Sequence, residues 1–257
     1  MWYQIKSYLN FLLKSTNQHG VHSPFVYDFV TKCLYDKKTY LQYKLLDGFR
    51  NNLLQNNSVI QVTDFGSGSR VFSSNKRAVS AIAKNAGVPI KRQQLLFRIS
   101  NYFQPRNILE LGTSLGLGTV AQSLGSSSAN IITIEGCPNT AKVAKQQFEK
   151  YELQNVDLRV QNFDDFLNND DTSNYDLVYI DGNHNKEKTI QYFNTLLEKV
   201  HNDTLFIFDD IYWSKAMTEA WETICKNTKV TVSIDSFYWG FAFFRKEQKK
   251  EHFIIRL

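Results

Sequence analysis

From about residue 107 onward, short apolar runs typical of strands alternate with stretches whose apolar residues recur at a helical spacing. Short apolar runs of strand length lie at residues 107–111, 130–135, 156–160, 175–180 and 203–208. Amphipathic stretches with a helical period follow at residues 118–124, 138–150, 163–168, 186–199 and 214–226. This alternation predicts a parallel sheet with helices on both of its faces.

The end of the chain follows a different pattern. Residues 229–234 and 238–244 are two apolar stretches joined by the short turn Asp235-Ser-Phe237, which predicts a β-hairpin. Five parallel strands followed by a hairpin give a seven-stranded, doubly wound, Rossmann-like α/β sheet. We expect residues 91–257 to form this domain.

Residues 1–90 are predicted to be a mainly helical extension that acts as a substrate lid. The apolar residues Trp2, Ile5 and Leu9 fall near a helical period. Such a helix packs on the domain or on a partner subunit, and a membrane-surface helix is the alternative. Ser23 and Pro24 are expected to cap a second helix, from Phe25 to Tyr35.

Two further features of this segment invite a functional interpretation. His19 and His22 are three residues apart, but a loop or capping role is favoured over a metal pair. The segment Asp64-Phe-Gly-Ser-Gly68 follows a short apolar run and resembles a second cofactor loop. No helix is predicted immediately after it, so we assign it to the substrate side. Residues 76–86 are expected to form a basic helix.

The amino-acid composition limits the class of protein to which this chain can belong. Of the 257 residues, 42% are hydrophobic and 21% are charged, as in an ordinary globular protein. No apolar run reaches the roughly 18 residues of a membrane span, and no signal peptide is evident. The three cysteines are widely spaced, so a reducing cytoplasm is the expected location. Residues 1–100 carry a net charge of +10, which leaves nucleic acid open as a partner beside a plain basic surface.

The central motif is the segment 107–119, in which a buried strand leads through a glycine-rich turn into a helix with Thr119 as its expected cap. A turn of this kind forms a nucleotide-type crevice at the carboxyl edge of a sheet. Ser114 replaces the second glycine of a dinucleotide fingerprint, so a pyrophosphate ligand is not expected. The expected cofactor-binding positions of the turn are Gly112, Thr113, Ser114, Gly116 and Gly118.

Acidic residues accompany this crevice. Glu110, two residues before the first glycine, suits a positively charged group such as an amino acid ammonium, although an ordinary glycine turn would look the same. Glu135 ends the second strand, 23 residues after Gly112, and precedes Gly136. Its carboxylate is expected to accept hydrogen bonds from both ribose hydroxyls, or otherwise to cap the following helix.

A second acidic group follows the fourth and fifth strands. Asp181 comes directly after one apolar run, and Asp209 and Asp210 come after the next. Because parallel strands end at the same edge, these three carboxylates are expected to converge. An all-oxygen, multiply charged set suits a hard divalent ion such as Mg²⁺.

The motif Glu110-x-Gly-x-x-x-Gly resembles the first motif of class I S-adenosylmethionine-dependent methyltransferases. With Asp181-Gly-Asn-His184 and the Asp209-Asp210 pair, the chain is similar to the cation-dependent O-methyltransferases of the catechol and caffeoyl-coenzyme A type. The resemblance covers about 60% of the chain, from Lys91 to Phe244. It implies that S-adenosylmethionine is the cofactor and that the acidic residues hold the metal.

The resemblance also assigns roles to individual residues. In this family Asp164 would accept from the adenine amino group, with Phe163 lying on the ring, although a charge at a helix start is an equal alternative. The catechol enzymes have a catalytic lysine three residues after the first metal ligand, where this chain has His184. His184 is therefore a candidate general base, beside Asp181, or else a loop residue.

The implied reaction is metal-assisted methylation of a small-molecule hydroxyl, with a homodimer as one possible assembly. Two alternatives remain open at this point. One is a metal-dependent hydroxylase on the same fold, given a similarity to cephalosporin-hydroxylase-like proteins. The other is a nucleic-acid-binding or nucleic-acid-methylating protein that uses the basic N-terminal segment.

Overall fold

The computed structural model describes residues 2–63, 65, 72, 74–172 and 174–257. The helices in these ranges are α1 (Trp2–Lys14), α2 (Pro24–Phe29), α3 (Gln42–Leu54), α4 (Val79–Asn85), α5 (Ile90–Phe103), α6 (Leu117–Gly125), α7 (Pro138–Lys150), α8 (Phe163–Asn169), α9 (Lys186–Leu196) and α10 (Lys215–Lys226). The strands are β1 (Val59–Gln61), β2 (Lys76–Ala78), β3 (Asn107–Leu111), β4 (Asn130–Glu135), β5 (Val156–Val160), β6 (Leu177–Ile180), β7 (Leu205–Asp209), β8 (Val232–Asp235), β9 (Trp239–Phe243) and β10 (Glu251–Ile254).

The chain packs into two compact units. Asp36–Phe166 forms one of them, and Met1–Tyr35 together with Leu167–Leu257 forms the other. The predicted boundary after residue 90 does not coincide with the boundaries of these compact units, and it stays a prediction. Within the described residues, no helix combines the length and the hydrophobicity needed to cross a membrane.

The unit 36–166 contains three parallel strands. β4 pairs with β3 on one side and with β5 on the other. β3 is buried along almost its whole length because both of its faces are covered, which is the usual situation of a parallel strand. α5 packs against α6, and the antiparallel hairpin β1–β2 lies beside α7.

The other unit contains a mixed sheet. β6 and β7 are parallel, β9 runs antiparallel to both β7 and β8, and β10 is parallel to β8. Every residue of β6, β7, β8 and β9 is buried. Aromatic side chains fill this core, and the rings of Phe29 and Phe241 lie 5.6 Å apart, edge to face.

The strand, helix and hairpin pattern predicted from residue 107 onward agrees with these bounds within a few residues. Three local predictions were wrong. β10 was not predicted. Residues 76–78 are a strand rather than the start of a helix. α6 begins at Leu117 after Gly116, so Thr119 lies inside the helix and is not its cap.

The N-terminal helices were predicted more closely. Ser23 caps α2 by accepting the Val26 N–H at 3.5 Å, with Pro24 in the first turn. His19 lies in a short 3₁₀ turn capped by Asn17. Neither His19 nor His22 belongs to a potential metal-binding group among the described residues. Apart from Phe65, the predicted second cofactor loop Asp64–Gly68 lies outside the described residues.

Candidate active site

The turn between β3 and α6 is a left-handed backbone that few residues tolerate. Gly112, Ser114 and Gly116 have φ angles of 114°, 50° and 83°. A Cβ atom at Gly116 would lie 2.4 Å from the Phe148 ring, so glycine is required there for space as well as for conformation.

Hydrogen bonds fix this turn to the neighbouring strand. The N–H groups of Gly112 and Thr113 both donate to the Ile134 carbonyl of β4, at 3.0 and 3.1 Å. The Thr113 hydroxyl also lies 2.6 Å from that of Thr133. Gly118 follows in the first turn of α6 and is buried. The loop is therefore a rigid frame at the carboxyl ends of β3 and β4.

Glu135 lies half-buried at the end of β4, next to this loop. One carboxylate oxygen accepts the Ser114 N–H at 2.8 Å, and the other accepts the Cys137 N–H at 2.8 Å. These contacts orient the carboxylate, and each carboxylate oxygen can accept more than one hydrogen bond. This geometry fits an acceptor for a pair of vicinal hydroxyls.

The hairpin β1–β2 docks beside Glu135. Asn139 of α7 donates to the Gln61 carbonyl at 2.8 Å, and the Thr63 N–H donates to the Cys137 sulfur at 3.3 Å. The Phe65 ring lies so close over Gly136 that a Cβ there would be 2.7 Å from it. The sequence analysis missed Phe65 as a wall of this site, because the contact joins residues about 70 positions apart.

The predicted adenine-binding residues lie at the same edge. The Gln161 N–H, directly after β5, donates to the Glu135 carbonyl at 3.1 Å. Asn162 caps α8 by accepting the Asp165 N–H at 2.8 Å. Phe163 and Asp164 are half-buried in the first turn of α8. The capping role belongs to Asn162, which leaves the assignment of Asp164 to adenine a prediction.

The Glu110 carboxyl group is enclosed beneath the glycine turn, and its contact with the cofactor stays a prediction. Its side chain has no exposed surface, and it accepts hydrogen bonds from Thr119, Thr133 (2.6 Å) and Gln122 (2.8 Å). This burial speaks against a direct contact with an ammonium group. The carboxyl group instead joins β3, β4 and α6 beneath the glycine turn.

Burial raises the pKa of Glu110 to about 7, although its three hydrogen bonds act in the opposite direction. An acid whose pKa is higher in the folded state binds more protons there than in the unfolded state. Its contribution to stability is therefore full below the ordinary pKa of 4.5 and is lost as the pH rises to about 7.

Glu110→Gln should remove this pH dependence, because glutamine does not titrate. Between pH 4 and pH 8 we expect the wild type to lose roughly 3 kcal/mol of unfolding free energy relative to the variant. Urea unfolding of both proteins across this range measures the difference. A difference that stays constant with pH would show that Glu110 does not titrate there.

The second set of candidate residues lies at the ends of β6 and β7. Asp181, His184 and Asp209 each offer one ligand atom, and these atoms lie within 4.8 Å of one another. The His184 Nε2 is 4.0 Å from one oxygen of Asp181. Asp209 is buried, and the other two are half-buried. These three residues are hereafter called the acid–histidine cluster.

Aromatic residues orient the members of the cluster. The Tyr179 hydroxyl donates to Asp181 at 2.9 Å, and the Trp239 indole N–H donates to Asp209 at 2.5 Å. The rings of His184 and Trp213 lie 5.8 Å apart. The sequence analysis did not identify Tyr179 or Trp239, since each looked like an ordinary core residue of a strand.

Asp210 lies outside the cluster, contrary to the predicted set of three carboxylates. Its backbone is left-handed, with a φ of 52°, and its carbonyl accepts the Trp213 N–H at 2.8 Å. β7 ends at Asp209, so Asp210 belongs to the turn that follows the strand. His184, predicted as a base, takes the third place in the cluster.

The cluster fits a divalent cation by its chemistry. Two carboxylates and one imidazole supply two hard donors and one borderline donor. Hydrogen bonds from outer residues to metal-binding carboxylates are a common feature of such sites. Clustered acids without a counter-charge repel each other, which a cation would relieve.

Comparison with known proteins shows which domain and fold this chain resembles. Residues 109–211 match a family model described as a methyltransferase domain. The O-methyltransferase TomG from Streptomyces achromogenes, solved with S-adenosylmethionine, is 19% identical, with a TM-score of 0.55 over 63% of this chain and 82% of its own. An O-methyltransferase from Bacillus cereus in complex with SAH is 20% identical, with a TM-score of 0.52 over 84% of this chain and 94% of its own.

A third solved structure, from Podospora anserina, shares the fold. The SAH-bound methyltransferase PaMTH1 from Podospora anserina is 14% identical, with a TM-score of 0.58 over 82% of this chain and 100% of its own. At these identities the solved structures establish the Rossmann-like fold, and the family model identifies the domain. Residues 109–211 are therefore similar to a methyltransferase domain on a Rossmann-like fold, in agreement with the resemblance to class I S-adenosylmethionine-dependent methyltransferases found in the sequence motifs.

Proposed function

We propose that this methyltransferase transfers a methyl group to the hydroxyl of a small molecule, with a divalent cation held by the acid–histidine cluster. The observation that carries the proposal is the convergence of Asp181, His184 and Asp209. The printed descriptions of TomG and of the Bacillus cereus protein as O-methyltransferases support an oxygen acceptor.

For the cofactor, we assign each end of S-adenosylmethionine to a part of the unit 36–166. Glu135 accepts hydrogen bonds from the ribose hydroxyls, and its contacts with the Ser114 and Cys137 N–H groups hold it in place. Phe163 and Asp164 contact the adenine. The turn from Gly112 to Gly118 surrounds the methionine part, and Glu110 supports that turn from beneath.

For the acceptor, the chain's residues position and ionise the hydroxyl. A bound divalent cation would lower the pKa of an acceptor hydroxyl. Tyr179 and Trp239 hold the carboxylates of Asp181 and Asp209 in fixed orientations. With S-adenosylmethionine bound, the sulfonium methyl would be the group transferred, solvent would take the proton of the hydroxyl, and alignment of the acceptor with the methyl group would supply much of the rate.

The imidazole in the cluster changes the expected metal. An oxygen-only set, as predicted from the sequence, favours Mg²⁺. A set that includes His184 favours a first-row transition metal such as Mn²⁺ or Co²⁺. We therefore expect Mn²⁺ to bind more tightly than Mg²⁺.

His184→Ala separates the two roles considered for this residue. If His184 is a ligand, the variant should lose Mn²⁺ affinity about tenfold or more, as measured by electron paramagnetic resonance of the unbound ion. If it is a general base, Mn²⁺ affinity should be unchanged while turnover falls about 10²–10⁴-fold. Unchanged binding together with unchanged turnover would leave His184 as a loop residue only.

The proposal is tested by an assay with methyl-labelled S-adenosylmethionine and a panel of catechol, phenol, carboxylic acid and amine acceptors. We expect label in a hydroxyl acceptor when Mn²⁺ is present and its loss in excess chelator, while SAH binding persists. Full activity in chelator contradicts the metal, and label only in amines contradicts the oxygen acceptor. Oxygen consumption without methyl transfer would favour the hydroxylase alternative.

A further inference from the structure

Helix α1 has an apolar stripe that faces outward. Trp2, Ile5, Leu9 and Leu13 are 80%, 48%, 57% and 86% exposed. With Tyr8 they make five of the 14 large hydrophobic side chains that are exposed among the described residues. Ile5, Leu9 and Leu13 are four residues apart, so they form one continuous line along the helix.

The opposite side of α1 fixes the direction of this stripe. Phe11 is buried, and its ring lies 5.5 Å from the ring of Phe237. The Tyr3 hydroxyl donates to Thr218 of α10 at 2.9 Å. The helix is therefore docked on its own compact unit, and the exposed leucines are not merely a frayed end.

The charged residues of α1 itself are all cations. Residues 1–27 contain Lys6 and Lys14 and no aspartate or glutamate. The Arg256 guanidinium lies at the carboxyl end of α1, where it donates to the Leu12 carbonyl at 3.4 Å and to the Ser15 hydroxyl at 3.3 Å. Next to Arg256, Leu257 is also exposed. Helix α1 and the adjoining Arg256 and Leu257 thus combine apolar side chains with cations.

We propose that α1 binds an anionic lipid surface and lies in its interfacial plane. Trp and Leu side chains on one helix face, flanked by lysines, are the features of such helices. Anionic headgroups would attract Lys6, Lys14 and Arg256, while the apolar stripe would insert at the boundary between headgroups and acyl chains. A second copy of the chain would supply the same positive charges, so charge complementarity favours lipid over self-association.

Vesicle flotation of the full-length chain tests this assignment. The vesicles are phosphatidylcholine alone or with about 30 mol% phosphatidylserine. We expect binding that requires phosphatidylserine and weakens as salt is raised. Leu9→Asp combined with Leu13→Asp should reduce it about tenfold or more, because each leucine loses its apolar transfer energy.

Leu41→Asp is the matched control, since Leu41 is 81% exposed but belongs to the other compact unit. This variant should bind vesicles like the wild type. Equal thermal melting of all three proteins would show that the substitutions leave the fold intact, and methyl transfer to a soluble acceptor should not change.

Three outcomes would overturn the assignment. The first is no binding to phosphatidylserine vesicles at low salt. The second is equal binding by the wild type and the double variant. The third is a dimer in sedimentation experiments that dissociates in the double variant, together with no binding of the wild type to vesicles. That result would make α1 a contact between copies of the chain.

Discussion

Asp181→Asn is expected to lower methyl transfer roughly 10²–10⁴-fold, the loss of several kcal/mol of metal-derived stabilisation. Asp181 is half-buried and accepts a hydrogen bond from Tyr179, which an asparagine oxygen can also accept, so the fold should survive. Removing one of two carboxylates should weaken the binding of Mn²⁺. Steady-state kinetics and a Mn²⁺ titration measure the two effects.

Asp210→Asn is the matched control for this substitution. Asp210 is the next acid after β7, lies outside the acid–histidine cluster and has a left-handed backbone, which asparagine tolerates well. We expect near-normal turnover and Mn²⁺ affinity. Loss of turnover and of Mn²⁺ affinity in both variants would instead support the set of three carboxylates predicted from the sequence, Asp181, Asp209 and Asp210.

Glu135→Ala is expected to weaken SAH binding by roughly 1–3 kcal/mol, or about 5–150-fold, because hydrogen bonds to a charged group are lost. Part of that loss comes from the loop, since the Ser114 N–H loses its acceptor as well. Glu135→Gln keeps the shape but removes the charge, so it should fall between the wild type and the alanine variant. Isothermal titration calorimetry with SAH measures all three.

Glu149→Ala controls for the change in net charge, because Glu149 is an exposed acid on α7 of the same compact unit. Its SAH affinity should match that of the wild type. If Glu135→Ala also binds SAH normally, Glu135 is only a support for the turn, and the ribose must bind elsewhere.

The strands from residue 107 to residue 209 could be predicted because each is a short apolar run next to glycine, proline or polar residues. Helix lengths followed from the same pattern. β10 was missed because Glu251 and His252 interrupt its apolar residues and it pairs with β8, about 19 residues earlier in the chain. A short strand of this kind depends on pairing with its partner strand more than on its own amino-acid composition.

The candidate site was predictable in position but not in detail. The sequence places Glu110 two residues before Gly112, but it does not show that Thr119, Thr133 and Gln122 enclose the carboxyl group. Side-chain direction depends on packing between elements distant in the chain. The same reason applies to His184, because its proximity to Asp209 arises only from the tertiary structure.

A crystal structure of the chain with SAH and Mn²⁺, with anomalous scattering recorded for the metal, tests the central proposal most directly. We expect the ribose hydroxyls within hydrogen-bonding distance of Glu135. We also expect one anomalous peak coordinated by Asp181, His184 and Asp209. SAH bound away from Glu135, or a fully occupied peak at other residues with none at the acid–histidine cluster, would contradict it.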